Sequence, residues 1–215
     1  MRSSTRSSHA RVIHEGLRAS ARLQEAVARS QAGPIAEAAD VMVAAMRRGG
    51  KIIWFGNGGS ATQSQHMAAE FVGRFCKERR SVPSISLAEN MASVTAIAND
   101  YRYELIFARQ LEGLGKRGDV AVGLSTSGSS ANVLAGLRKA KELGLPAVGL
   151  TGGSGGAMRE LCDICIVVPS KDTARIQESQ LTIGHILCQL VEDALFATAP
   201  SAHPVGNKAR TRAVA

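Results

Sequence analysis

Five hydroxyl side chains fall within six residues in Ser125-Thr126-Ser127-Gly128-Ser129-Ser130. Between an apolar run and a helical pattern, such a stretch forms a neutral, donor-rich cup. Set at a helix N-terminus, it suits the oxygens of a phosphomonoester. An ordinary polar turn with Ser130 as helix cap would use only one of these hydroxyls. A second stretch, Phe55-Gly-Asn-Gly-Gly-Ser-Ala61, lets the backbone come close to a ligand and opens a helix. Gly56, Gly58 and Ala61 also fit a loose dinucleotide fingerprint, but that site needs an acid about 20 residues on. Glu89, the only candidate, lies too far along the chain. No Gly-Lys-Ser/Thr follows the glycines, which excludes a P-loop and argues against a nucleoside triphosphate. The chemistry indicated is that of a small phosphorylated metabolite.

His66 and Glu70 stand four apart in the helical pattern that leaves the glycine-rich stretch, so both share one face. That spacing can set two ligands on a zinc ion or an imidazole beside a carboxylate. It is equally the spacing of a solvated surface pair. A helix that starts at a ligand loop carries its side chains beside the pocket, which gives the pair its interest. Gln177 and His185 lie in a final helical pattern over residues 174–197, among Leu181, Ile183 and Leu187. His185 reads there either as a buried core histidine or as a site residue. Eight residues correspond to about 12 Å of rise and about 80° of turn, so the two meet at one ion only by reaching towards each other.

The elements that must position these residues follow from hydrophobic periodicity. Ile13, Leu17, Leu23 and Val27 predict a helix over 12–30, which Gly33-Pro34 breaks. A second helix, with Ile35, Ala38, Ala39 and Met42 on one face, runs to a stop at Gly49-Gly50. Its alanine-rich seam suits packing against another subunit as well as against the body. From residue 51, apolar runs at Ile52–Phe55, Ser84–Leu87, Val120–Leu124, Ala147–Leu150 and Ile164–Val168 alternate with helical patterns at 60–74, 89–115 (in two pieces), 131–143 and 174–197. Continuous rather than alternating hydrophobicity predicts an α/β fold, its parallel sheet covered on both faces. Ligands then bind outside the carboxyl ends of the strands, where both loops sit.

Composition bounds the partners. The 215 residues are 45% hydrophobic and 20% charged, values of a globular chain and not of a disordered one. No apolar run approaches the ~18 residues of a membrane span. The 26 basic and 18 acidic residues give +8, but Arg2, Arg6, Arg11, Lys208, Arg210 and Arg212 all lie near the ends. Without those six, 20 basic residues face 18 acidic, a net of +2. A nucleic-acid partner is therefore not expected. The expected division is a basic N-terminal tail (1–11), one domain (12–198) and a basic C-terminal tail (199–215). Within the domain, a helical segment (12–50) precedes the α/β body (51–198). Cys162 and Cys165 form a CxxC with no second pair for a zinc ribbon, so they read as core cysteines. The Arg- and Ser-rich N-terminus lacks a signal-peptide apolar stretch and reads as a short disordered tail, with a cytoplasmic location expected.

Taken together, Gly56-Asn-Gly-Gly-Ser60, His66-xxx-Glu70, Ala98-Asn99-Asp100, Ser125 through Val133, Leu150-Thr-Gly152 and Ala174-Arg-Ile-Gln-Glu178 with His185 resemble the phosphoheptose isomerase family of the sugar-isomerase (SIS) fold. The blocks keep the family order from about residue 12 to residue 197. The resemblance implies a five-stranded parallel sheet flanked by helices, with the leading helices helping to build a homotetramer whose active sites lie between subunits. It implies substrate contacts from Asn57, Gly58, Gly59, Ser60, Glu70, Asn99, Asp100 and Gln177, and a phosphate grip from Ser125, Thr126, Ser127 and Ser130. Glu70 and His185 match the family's acid–base pair, and His66, Glu70, Gln177 and His185 match its zinc ligands. The implied reaction converts sedoheptulose 7-phosphate to D-glycero-D-manno-heptose 7-phosphate through an enediolate. Ser129 and Ala174 depart from the asparagine and aspartate of some members. The competing class is a non-catalytic SIS module that binds sugar phosphate to regulate a partner or assist a replication initiator. Such relatives tend to lose the acid–base positions, which this chain keeps.

Overall fold

The structure is a computed structural model that describes the backbone of residues 2–197 and the side chains of residues 8–197. The basic stretch expected at 199–215 lies outside the described residues. Strands β1 (Ile52–Gly56), β2 (Ser84–Ser86), β3 (Val120–Leu124), β4 (Ala147–Gly152) and β5 (Ile164–Val168) pair in parallel in the order β2-β1-β3-β4-β5. Every residue of β1, β3 and β4 is buried, which explains their unbroken apolar runs, whereas the edge strand β5 alternates. The helices are α1 (Arg2–Arg47), α2 (Gly59–Val72), α3 (Met91–Asp100), α4 (Ile106–Leu114), α5 (Ala131–Glu142), α6 (Met158–Leu161) and α7 (Thr173–Leu195). One face of the sheet packs Trp54 and Val122 with Met42, Met67 and Leu187 from α1, α2 and α7. The other packs Ile53 and Phe55 with Phe107 and Leu137 from α4 and α5.

From β1 the chain steps to β2 on one side, and afterwards to β3, β4 and β5 on the other. The crevice between the carboxyl ends of β1 and β3 is thus the point where the winding reverses, the usual ligand position of an open α/β sheet. The glycine-rich loop leaves β1 at this point and the serine-rich loop leaves β3. They approach so closely that a Cβ on Gly56 would stand 2.9 Å from the Leu124 carbonyl oxygen.

The break expected at Gly33-Pro34 is absent: α1 runs through Pro34 without interruption and begins at Arg2 rather than near residue 12. Proline at 34 deprives the Ser30 carbonyl of its helical N–H partner. Gln31 supplies the missing donor, its Nε2 lying 3.0 Å from Ser30 O. The same side chain accepts from the backbone N–H of Val167 on the edge strand β5 at 2.9 Å. One carboxamide therefore mends the helix and ties it to the sheet. The short helix α6, absent from the expected elements, has too few residues to show periodicity. Asp172 caps α7, accepting from Ala174 N at 2.9 Å.

Candidate active site

Gly58 precedes α2 as its N-cap at φ +54, a conformation that glycine adopts without strain, and it places no side chain over the helix terminus. Asn57, one residue earlier, pairs reciprocally with Asn132 in the first turn of α5, just after the serine-rich loop. Each Nδ2 donates to the other's Oδ1 at 2.8 Å. Asn132 is 3% exposed, so Asn57 is fixed from below and the two loops are locked to each other. Tyr103 OH donates to the same Asn57 Oδ1 at 3.1 Å.

In the second loop three of the five hydroxyls converge. Ser125 Oγ lies 2.9 Å from Ser130 Oγ and 3.4 Å from Ser127 Oγ. Ser130 occupies the N-cap of α5, but its hydroxyl makes no capping bond and turns to Ser125 instead. The turn depends on Gly128 at φ +67, where a Cβ would stand 2.0 Å from the Gly155 carbonyl oxygen. Ser129 only closes the turn, its N–H meeting Ser127 Oγ at 3.3 Å. A cleft of about 400 Å³ opens beside the cup, lined by Thr126, Ser127, Ser154, Ser170, Lys171 and Thr173.

Helices α2 and α7 lie side by side in the same direction. A Cβ on Gly59 would meet Gln177 Nε2 at 2.6 Å, and one on Gly184 would meet Met67 Sδ at 2.3 Å. Gln63 Nε2 also donates to the Gln177 carbonyl at 2.6 Å. The missing Cβ of Gly184 lets the helices close, and that brings His185 over His66. His185 Nε2 lies 3.2 Å from His66 Nε2, which in turn lies 2.9 Å from Glu70 Oε1. One ligating atom from each of these three residues lies within 4.8 Å of the others. Two imidazole nitrogens that face each other can share at most one proton comfortably. The donor set, two nitrogens and a carboxylate oxygen, suits a divalent metal such as zinc. Beneath the cluster, burial pushes the Cys188 thiol up, with Glu70 adding to the effect, so it stays a neutral core side chain.

Comparison with known proteins decides what these loops and helices belong to. Residues 17–152 match the SIS domain family. A phosphoheptose isomerase of Rhodospirillum rubrum is 53% identical over 161 residues, 75% of this chain and 86% of that protein. One from Roseiflexus is 47% identical over 189 residues, 88% of this chain and 96% of that protein. The structure of phosphoheptose isomerase from Neisseria gonorrhoeae superposes with a TM-score of 0.81 at 34% identity, covering 85% of this chain and 98% of that one. The chain belongs to the phosphoheptose isomerase family.

The other expected residues of this phosphoheptose isomerase family member fall into place unequally. Gln177 does not join the His–Glu–His cluster by any hydrogen bond among the described residues; its carboxamide rests on Gly59 at the first loop. Ser60 is 3% exposed. Asn99 and Asp100 are exposed at the end of α3 and bond to each other at 2.9 Å. Cys162 and Cys165, expected as core cysteines, are only half-buried and pack at the edge of the hydrophobic cluster under α4 and α5. Sequence reasoning did not single out Asn132, Tyr103 or Lys171. The serine-rich motif already contained Asn132, but the contact from Tyr103 across 46 residues leaves no mark in local spacing.

Proposed function

We propose that this chain is the aldose–ketose isomerase that interconverts sedoheptulose 7-phosphate and D-glycero-D-manno-heptose 7-phosphate. The observation that carries the proposal is the convergence of Glu70, His66 and His185 from two helices, one of which starts at the glycine-rich loop. Isomerisation moves a proton between C1 and C2 and needs a base over carbon and an acid near oxygen. Glu70 takes the proton from C1 and returns it to C2, while His185 gives a proton to the C2 oxygen and takes one back from the C1 hydroxyl. The hydroxyls of Ser125, Thr126, Ser127 and Ser130 hold the phosphate, with the free N–H groups of the α5 terminus behind them. Asn57, Gly58, Gly59, Ser60, Gln177, Asn99 and Asp100 orient the sugar chain.

His66, Glu70 and His185 would hold zinc, which when bound polarises the substrate's oxygens and stabilises negative charge on them. A three-residue set leaves a position open, as catalytic zinc sites do. Gln177, expected as a fourth ligand, is better placed for the substrate, since its carboxamide rests on Gly59. A nitrogen that holds metal cannot carry a proton at the same moment, so His185 Nε2 serves one role at a time.

The same reading includes a cytoplasmic homotetramer with sites between subunits. An apolar groove of about 410 Å³ between α1 and α7, lined by Val27, Ile35, Ile186 and Leu190, supports a covered face there. No helix among the described residues is long and apolar enough to cross a membrane. The non-catalytic alternative is not favoured, because both acid–base positions are filled and adjacent. The test is turnover of a panel of five-, six- and seven-carbon ketose phosphates, with and without zinc. Conversion of the seven-carbon substrate to its aldose is expected, and no conversion of any would refute the proposal.

A further inference from the structure

The chemistry above makes no use of the most deeply buried ion pair in the described residues. Arg79 Nε donates to Glu192 Oε1 at 2.7 Å, and the two side chains are 1% and 2% exposed. The Glu192 carboxylate also accepts from the backbone N–H groups of Phe75 at 3.1 Å, Cys76 at 2.7 Å and Lys77 at 2.9 Å. The guanidinium spends its remaining donors on backbone carbonyls, Phe71 at 3.0 Å, Arg80 at 3.1 Å and Glu70 at 2.9 Å. A buried ion pair is weak evidence for stability as such, because desolvation offsets much of its attraction. Its position is therefore the informative feature.

Glu192 follows His185 on α7 by seven residues, two helical turns, and so shares its face. Through the bonds to Phe75, Cys76 and Lys77 it folds the segment after α2 back onto α7. That fold brings the Phe75 ring to 5.6 Å from the His185 ring, at an interplanar angle of 26°. From the other end of the ion pair, Arg79 grips the main-chain carbonyl of Glu70 in the last turn of α2, where no further turn supplies an N–H. A single buried pair thus stands behind both members of the acid–base couple.

We infer that Arg79 and Glu192 are positioning residues for Glu70 and His185, acting on the histidine through the Phe75 ring. The inference rests on the roles proposed above for Glu70 and His185. Neither Arg79 nor Glu192 touches the reacting atoms; they fix where the base and the imidazole stand.

The test uses the full chain with Phe75→Leu, which leaves the ion pair intact, beside Glu192→Gln. For each, kcat and KM for sedoheptulose 7-phosphate, the melting temperature and the NMR signals of the His185 ring are measured. A misplaced acid–base group lowers kcat by about tenfold or more while KM stays within about twofold. Both variants should show that split, and the His185 ring signals should shift as the phenyl ring leaves or loosens. Folded Phe75→Leu protein with normal kcat and unshifted His185 signals would overturn the inference, and so would a loss confined to KM. Should Glu192→Gln not fold, Phe75→Leu alone decides. Should the unmodified chain not turn over the sugar phosphate, the proposed reaction fails, while the His185 signals still report whether the clamp holds the ring.

Discussion

His185 on α7 reaches His66 on α2 nitrogen to nitrogen, at 3.2 Å across 119 residues of chain. Glu70 completes the group 2.9 Å from His66, one helical turn further along α2. The contact exists because Gly184, beside His185, has no Cβ to strike Met67 and hold the helices apart. The packing of Gly184 against Met67 thus decides whether the two imidazoles and the carboxylate come together.

Replacing Glu70 by Gln keeps the shape of the side chain and removes its basicity. Turnover should fall by about a hundredfold or more, the scale of general base catalysis, with an unchanged circular dichroism spectrum. Steady-state kinetics on the aldose product checks this.

Removing one imidazole should release the metal before it disturbs the fold, because His66 is exposed. Purified protein should carry zinc by elemental mass spectrometry, and His66→Ala should carry much less at an unchanged melting temperature. Retention of full zinc content in that variant would exclude the cluster as its site.

The serine cup predicts an effect on binding. Ser127→Ala with Ser130→Ala removes two hydroxyl donors to a charged phosphate, each worth about 1.5–3 kcal/mol. Together the two amount to about 3 kcal/mol or more, so KM for sugar phosphate should rise by about a hundredfold or more, with the melting temperature little changed. An unchanged KM would mean that the phosphate binds elsewhere.

Gln31→Leu should destabilise the fold without touching the site. It leaves the Ser30 carbonyl and the half-buried Val167 N–H without their protein partners, a cost of about 0.5–1.5 kcal/mol. Urea unfolding should register the loss, while kcat of the remaining folded protein stays normal.

The sheet and both ligand loops were legible because their signals are local. Continuous apolar runs marked the strands, and glycine and hydroxyl clusters marked the turns at their carboxyl ends. The pairing of His66 with Glu70 follows from helical spacing alone. Other features depend on contacts between distant parts of the chain. Gly33-Pro34 reads as a break unless Gln31 is known to replace the lost donor, and Gln31 is held there by β5. Gln177 and His185 share a helix, but only the docking of α7 on α2 separates their environments, one at Gly59 and the other at His66. Tyr103 and Arg79 act through partners that no spacing rule connects to them.

The most direct test of the central claim is turnover of sedoheptulose 7-phosphate in deuterated water. The Glu70 side chain is 24% exposed, so a proton it carries between carbons can exchange with solvent. Deuterium should therefore appear at C2 of the aldose product. Absence of product, or deuterium appearing at C2 at an undiminished rate with Glu70→Gln, would contradict proton transfer by Glu70.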